Sequence, residues 1–338
     1  MLILTNGLTD VIDEGFLKVA NSLVRRLKNK MDEKAYIITY ERKSDISDEH
    51  ITLNKLFLNK KLLSCIHKRN EKVLYVPFPS KTIAMAIRTF VLSLFAKKGL
   101  SVILVQKSEM NFMAKCLLKL SKADIVVFSK ESFDFFCNIV QERRVNYIKT
   151  GIDIEKFSPA SLGRVVQLRK KYGLDVDRPV VLHVGHLKKG RNIEEIIKLS
   201  QKYQVVLVVS TLFKEDIDKN LYERIVTTDN IKLIDYYLPD IQEIYQLADV
   251  YFFPVTEKGN CIDVPLSCME AAACNKPIVT TAYGEMKAFN NKDGFLFIDS
   301  FDEDDISSLI ETALNIKNCD IRSNVIEYDW NNAVERLM

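Results

Sequence analysis

The chain has 338 residues, 47% of them apolar and 28% charged, enough to fill two cores of ordinary size. No apolar run reaches the roughly 18 residues that a membrane-spanning helix needs; the best candidate, 82–96, contains Arg88. The net charge of +3 hides an asymmetry, because residues 1–160 carry 27 Lys/Arg against 17 Asp/Glu and residues 161–338 carry 21 against 28.

The run LILT follows Met1 and reads as a strand, so no leader peptide is expected. The seven cysteines form no CxxC pair, which suits reduced, buried thiols in a cytosolic protein. A basic first half has two readings. The two halves can attract each other, or the first can approach an anionic membrane surface or a phosphate-bearing acceptor. No basic motif interleaved with aromatics points to nucleic acid.

Short apolar runs recur at 2–5, 35–40, 73–76, 101–105, 124–128 and 146–148, with helical stretches between them. A second series follows at 179–184, 204–209, 231–234, 249–253, 277–281 and 294–298. Apolar strands alternating with helices predict parallel sheets covered on both faces. Two series of six predict two Rossmann-like domains rather than one barrel, with the boundary in the low-apolarity stretch 158–178.

The first strand-to-helix turn, NGLTDVIDEG, leads into a helix with Leu17, Ala20, Leu23 and Leu27 on one stripe. Its Gly7 and Gly15 either turn the chain or bring backbone N–H groups near a phosphate. The stretch 82–96 has apolar residues all round, as a buried helix would; Arg88, Lys81, Lys97 and Lys98 leave an interfacial helix as the other reading. In KTGIDIEKFSP (149–159), a glycine turn, an Asp able to bond nearby N–H groups and Phe157 before Pro159 form a structural linker.

The stretch VVLHVGHLKKGRNIEEIIKL (180–199) runs a buried strand into a turn at Gly185, then Lys188, Lys189 and Arg191, then a helix. Cations at the head of a helix work against its partial positive charge, so an anion such as a diphosphate would suit them; a solvated basic turn is the alternative. His183, on the strand, reads as a core histidine. After the strand at 231–234 come Tyr236, Tyr237 and Leu238. The stretch PVTEKGNCIDVPLSCMEAAACNKPIVTT (254–281) reads as a strand end, a polar loop, a helix from near Val264 to Ala273 stopped at Asn275, and a buried strand. In open α/β sheets ligands bind beyond the carboxyl ends of strands, where such loops gather.

MEAAACNKPIVTT, KTGIDIEKFSP, the pair Lys189-Gly190 and IDYYLPDIQEIYQLADVYFFP together resemble the retaining glycosyltransferases of family 4 (group 1), which have the GT-B fold. Glu270 matches the second acidic position of the family's donor motif; Ile262, with Asp263 beside it, stands at the first. The resemblance implies an α/β chain of two Rossmann-like domains with parallel sheets facing across a cleft. It places an acceptor domain at 1–158, a nucleotide-sugar donor domain at 159–320 and, at 321–338, a C-terminal helix returning to the first domain with Trp330 as its anchor.

It also implies roles. Lys189 and Arg191 would stabilise the leaving diphosphate, beside Gly185, Lys188 and His186, which stands where the family has Arg. Backbone groups at Tyr237 and Leu238 would hold the base, and Glu270 the ribose hydroxyls. Asn260, Cys261, Ile262 and Asp263 would hold sugar and phosphate, with Gly15 near the phosphates. Gln106 stands at the strand end where family members often carry a His facing the sugar.

The expected function is sugar transfer with retention from a nucleotide-sugar donor to an acceptor hydroxyl, in cell-surface polysaccharide or glycolipid assembly. The alternative is a catalytically silent GT-B subunit. The DxD-like runs at Asp175–Asp177 and Asp302–Asp304 lie in linker or surface segments, so no metal is expected, and no cofactor beyond the nucleotide sugar as substrate. The expected partners are that donor, a saccharide or lipid-linked acceptor and an anionic membrane surface, with no nucleic acid. The expected location is the cytoplasm, at the inner face of the membrane.

Overall fold

The computed structural model describes residues 1–53, 59–80, 82–106, 110–188, 190–210, 218–317 and 320–338. The chain divides into two compact units. The first holds Met1–Thr150, Ile262–Val264 and Trp330–Met338; the second holds Gly151–Cys261 and Pro265–Asp329.

In the first unit the elements run β1 (Leu2–Thr5), α1 (Gly15–Met31), β2 (Tyr36–Tyr40), β3 (Glu49–Ile51), α2 (Lys60–Arg69), β4 (Val73–Val76), α3 (Ile83–Phe95), β5 (Leu100–Ile103), α4 (Phe112–Leu120), β6 (Asp124–Val127), α5 (Lys130–Cys137) and β7 (Val145–Tyr147). The seven strands are parallel, in the order β3-β2-β1-β4-β5-β6-β7. Leu2, Ile3 and Leu4 are all buried, as a strand covered on both faces requires. The stripe read on α1 is the buried one: Leu17, Ala20, Leu23 and Leu27 all lie in the core.

The helix at 82–96 is not buried all round. α3 buries Met85, Ala86, Arg88, Thr89, Leu92 and Ser93 along one face, and it leaves Ile83 and Leu94 in solvent. Lys81 lies outside the described residues.

The second unit continues with α6 (Leu162–Lys171), β8 (Val180–Gly185), α7 (Ile193–Leu199), β9 (Gln204–Val209), α8 (Lys219–Thr227), β10 (Ile231–Ile234), α9 (Gln242–Leu247), β11 (Val250–Phe253), α10 (Leu266–Ala273), β12 (Ile278–Thr280), β13 (Phe295–Phe297) and α11 (Glu303–Leu314). Its six strands are parallel, in the order β10-β9-β8-β11-β12-β13. The low-apolarity stretch 158–178 holds α6, which buries Leu168 and Arg169 alone. Arg169 donates to the carbonyls of Leu247 and Val176 and pairs with Asp249 at 2.6 Å, so charge does much of the anchoring there.

α10 starts at Leu266 rather than near Val264, behind Pro265. It ends as its sequence suggests: Asn275 takes φ +59°, the left-handed conformation that follows a helix, and its Oδ1 accepts the N–H groups of Ile321 and Arg322. Arg322 donates to the carbonyls of Ile154, Phe157 and Ala273, which keeps residues 321–329 with the second unit. The last helix, α12 (Trp330–Leu337), belongs to the first unit. It packs on α1 with Trp330 buried, Glu335 paired with Lys30 at 2.8 Å, and the Leu337 carbonyl accepting from Lys72. Among the described residues no helix is long and apolar enough to cross a membrane.

Candidate functional site

In the second unit the turn after β8 packs a cation against the carboxyl end of the strand. A Cβ on Gly185 would lie 2.1 Å from Nη1 of Arg191, so the glycine makes room for the guanidinium. Arg191 is only 4% exposed. Its Nη2 donates to the carbonyl of Asn260 at 2.5 Å, and its Nε finds no partner among the described residues. A buried guanidinium with an unmet N–H is costly, and an anion is its natural counterpart.

The loop after β11 is drawn onto the same turn. Gly190, at φ +80°, presents its carbonyl to the N–H groups of Thr256 and Glu257, both at 3.3 Å. A Cβ there would fall 1.9 Å from Oε2 of Glu257. Asn192 Nδ2 donates to the Pro254 carbonyl at 2.7 Å. The Tyr283 hydroxyl donates to the Cys261 carbonyl at 2.7 Å and accepts from the Cys261 N–H at 3.2 Å. Gly185, His186, Lys188, Arg191 and Asn260 are thus held on one turn-and-loop assembly, with Cys261 tethered next along the chain. Lys189 lies outside the described residues.

His183 is fully buried, stacked near Tyr251 and Phe253. Its Nδ1 lies 2.8 Å from the Phe252 carbonyl, an acceptor only, so Nδ1 carries the hydrogen and donates it. Burial, reinforced by the positive charge of Arg191, pushes its pKa down to about 3. It is a neutral core histidine.

Glu270 sits in the body of α10, 4% exposed, and the Tyr245 hydroxyl donates to its Oε2 at 2.6 Å. Burial, then the Glu270 charge, push the Tyr245 phenol well above its ordinary pKa, so it remains a donor. Tyr237 and Leu238 follow β10, half-buried, beside a largely exposed Tyr236. The DxD-like carboxylates act as local caps: Asp175 accepts the N–H of Asp177, and Asp302 caps α11 through the N–H of Asp304.

The first unit gathers a second group of residues. Gly15 opens α1, where the Glu14 carboxylate caps the helix through the Leu17 N–H at 3.1 Å. A Cβ on Gly15 would meet the Ile262 side chain at 3.3 Å. The Asp263 N–H donates to the carbonyl of Val105 at 3.1 Å, one residue before the half-buried Gln106. The Asp263 carboxylate, 9% exposed, accepts from the hydroxyls of Ser132 and Ser129, the latter at 3.4 Å. Gly15, Gln106, Ile262 and Asp263 therefore meet beyond the carboxyl ends of β1, β5 and β6, where ligands bind in open α/β sheets.

Residues 166–329, which span this turn-and-loop assembly and α10, match the family model described as glycosyl transferases group 1. The second unit is a group 1 glycosyl transferase domain. A 147-residue stretch is 26% identical to an alpha-galactosylglucosyldiacylglycerol synthase of Streptococcus pneumoniae, over 41% of this chain and 38% of that protein. The chain thus spans well under half the length of that relative. Among solved structures, a glycosyltransferase from Rickettsia africae superposes with a TM-score of 0.79 at 15% identity, over 99% of this chain and 96% of the other. Anabaena HepE in complex with UDP gives 0.78 at 16% identity, over 99% and 97%. WaaG, a glycosyltransferase involved in lipopolysaccharide biosynthesis, gives 0.66 at 12%, over 99% and 94%. The fold is GT-B, with two Rossmann-like units built on parallel sheets.

Within the group 1 domain the sequence pointed to the residues that carry charge and missed those that hold them. Tyr245 sits 25 residues ahead of Glu270, and nothing local in QEIYQLADV marks its hydroxyl for a carboxylate. Asn192, at φ +51°, was visible only as one polar residue before a helix. In the first unit, Ser129 carried a signal, since a serine before a helix is a standard cap. The acid that its hydroxyl and Ser132 share lies more than 130 positions away.

Proposed function

We propose that this chain is a retaining glycosyltransferase. It moves a sugar from a uridine-diphosphate sugar to an acceptor hydroxyl, without a metal ion, in cell-surface polysaccharide or glycolipid assembly. The observation that carries the reading is Arg191, a guanidinium buried at the carboxyl end of β8 inside a group 1 domain, with one N–H unmet among the described residues. The choice of uridine follows the UDP bound by HepE.

In this reading, breaking the glycosidic bond leaves negative charge on the diphosphate, which Arg191 with Lys188 and Lys189 stabilises. Glu270 accepts the ribose hydroxyls, and the backbone at Tyr237 and Leu238 meets the base. Within the second unit, Asn260 and Cys261 line the sugar side. The acceptor proton passes to a donor phosphate oxygen, so no strong protein base is required. The acceptor is a saccharide or a lipid-linked sugar, drawn to the half of the chain that carries 27 basic against 17 acidic residues.

Thermal unfolding in EDTA against UDP, ADP, GDP and their sugars tests this. A ligand at 100 times its dissociation constant adds about 2.7 kcal/mol. A shift with the uridine series, lost in Arg191→Ala and Glu270→Ala, is expected. Cooperative unfolding indifferent to every nucleotide would overturn the reading. With the donor known, the anomeric configuration of the product by NMR tests retention.

A further inference from the structure

The outer face of α4 holds large apolar side chains in water. Phe112 is 78% exposed, Met113 60% and Leu120 69%. Phe112, Cys116 and Leu120 are spaced four apart, so they form one stripe along the helix. α3, packed beside α4, adds Leu94 at 59% exposure on its last turn. Scattered apolar residues on a surface need no explanation, but a stripe of this kind does.

The charges along the helix itself are basic: residues 110–123 contain Lys115, Lys119 and Lys122 and no acidic residue. Lys97, Lys98, Lys119 and Lys122 are exposed. At the C-terminal end of α4 lies an open hollow of about 810 Å3, lined by Lys119, Lys122, Arg143 and Arg144, with Asp124 at its wall. Arg144 is committed to the Ala123 carbonyl and Arg143 Nε to Gln141 Oε1 at 3.0 Å, which leaves chiefly the two lysines to face whatever enters.

We propose that this face of the first unit docks on an anionic phospholipid bilayer. Phe112, Met113 and Leu120 enter the boundary between headgroups and acyl chains, and the lysines and the basic hollow take the headgroup phosphates. Charge complementarity selects this occupant, because a second copy would set lysine face against lysine face. The purpose assigned to the contact, reaching a lipid-linked acceptor, rests on the function proposed above; the contact itself does not.

The test is cosedimentation of the full chain with large vesicles, either pure phosphatidylcholine or equal parts phosphatidylcholine and phosphatidylglycerol, run beside the UDP thermal shift. Binding to the mixed vesicles alone, weakening with salt, is expected. Lys119→Gln with Lys122→Gln should lower partitioning about thirtyfold, at about 1 kcal/mol for each lysine. Phe112→Ser with Met113→Ser should lower it at least about tenfold by removing buried apolar area. These positions are exposed, so the UDP shift should survive in every variant.

No binding, equal binding to neutral vesicles, or unchanged binding by the variants would overturn the proposal. So would release by inorganic phosphate at constant ionic strength, the mark of a free-phosphate site, or a solution dimer that Phe112→Ser dissolves. Vesicle binding without any nucleotide shift would leave docking standing and sink the catalytic reading.

Discussion

The hydroxyl of Tyr245 donates to Oε2 of Glu270 at 2.6 Å, joining α9 to α10 inside the group 1 domain. Both side chains are buried, and burial holds the phenol protonated. Tyr245→Phe keeps the ring and removes only the donor. A buried acceptor that loses a partner costs about 1–3 kcal/mol. Tyr245→Phe should therefore lower the unfolding free energy by that amount in urea. If Glu270 also meets the ribose, the affinity for UDP should fall with it. An unchanged midpoint would mean that the carboxylate re-pairs at no cost.

His183 makes stability depend on pH. It is neutral in the fold, with a pKa pushed down to about 3, whereas an unfolded-chain histidine takes up a proton near 6.5. Below 6.5 the unfolded state therefore binds more protons, and this contribution to stability falls as pH falls, by about 1.4 kcal/mol per unit until about pH 3. His183→Asn keeps a donor for the Phe252 carbonyl and cannot titrate. Wild type should lose about 2 kcal/mol more than His183→Asn between pH 6.5 and pH 5. Parallel losses in the two proteins would show that His183 is not the group responsible.

The same strand shows what the sequence could and could not reveal. The apolar runs marked β8, β9 and β11 because a strand covered on both faces needs little besides apolar side chains. β3 escaped: Glu49–Ile51 is three residues long, mostly polar, and sits at the sheet edge where no apolar pattern is demanded. The break at 158–178 reads as the domain boundary because α6 is anchored by buried Arg169 rather than by an apolar stripe. Arg191 was visible as a cation at a glycine turn, but its burial depends on Gly185 and on a carbonyl 69 residues away. Local chemistry is written in the sequence, whereas long-range partners are not.

Gly185→Ala tests the packing of that cation. The new methyl would stand 2.1 Å from Nη1 of Arg191 and 3.1 Å from Nε2 of His183. The guanidinium has to swing away from the Asn260 carbonyl, while the backbone of β8 is free to stay. A hydrogen bond to a charged group is worth about 1.5–3 kcal/mol. By calorimetry, UDP should bind Gly185→Ala about tenfold to a hundredfold more weakly, with the circular dichroism unchanged. Wild-type affinity would remove Arg191 from the phosphate site.

Ser132 and Asp263 carry the sharpest question about the first unit. The Asp263 carboxylate is buried, accepts from Ser132 and Ser129, and its N–H is tied to Val105 beside Gln106. Held this way, the acid ties the backbone at Ile262–Val264 to Ser132, Ser129 and Val105, and its carboxylate is already engaged by hydroxyls. A double-mutant cycle separates the options. Ser132→Ala leaves a buried carboxylate short of a donor and should cost about 1–3 kcal/mol, whereas Asp263→Asn keeps the shape and accepts from the same hydroxyl. The two changes share one contact, so they should couple by about 0.5–3 kcal/mol rather than add. If the acid only positions the loop, Asp263→Asn should retain kcat within about tenfold while stability falls. A loss of kcat of about a thousandfold at unchanged stability would instead place Asp263 on the reacting sugar.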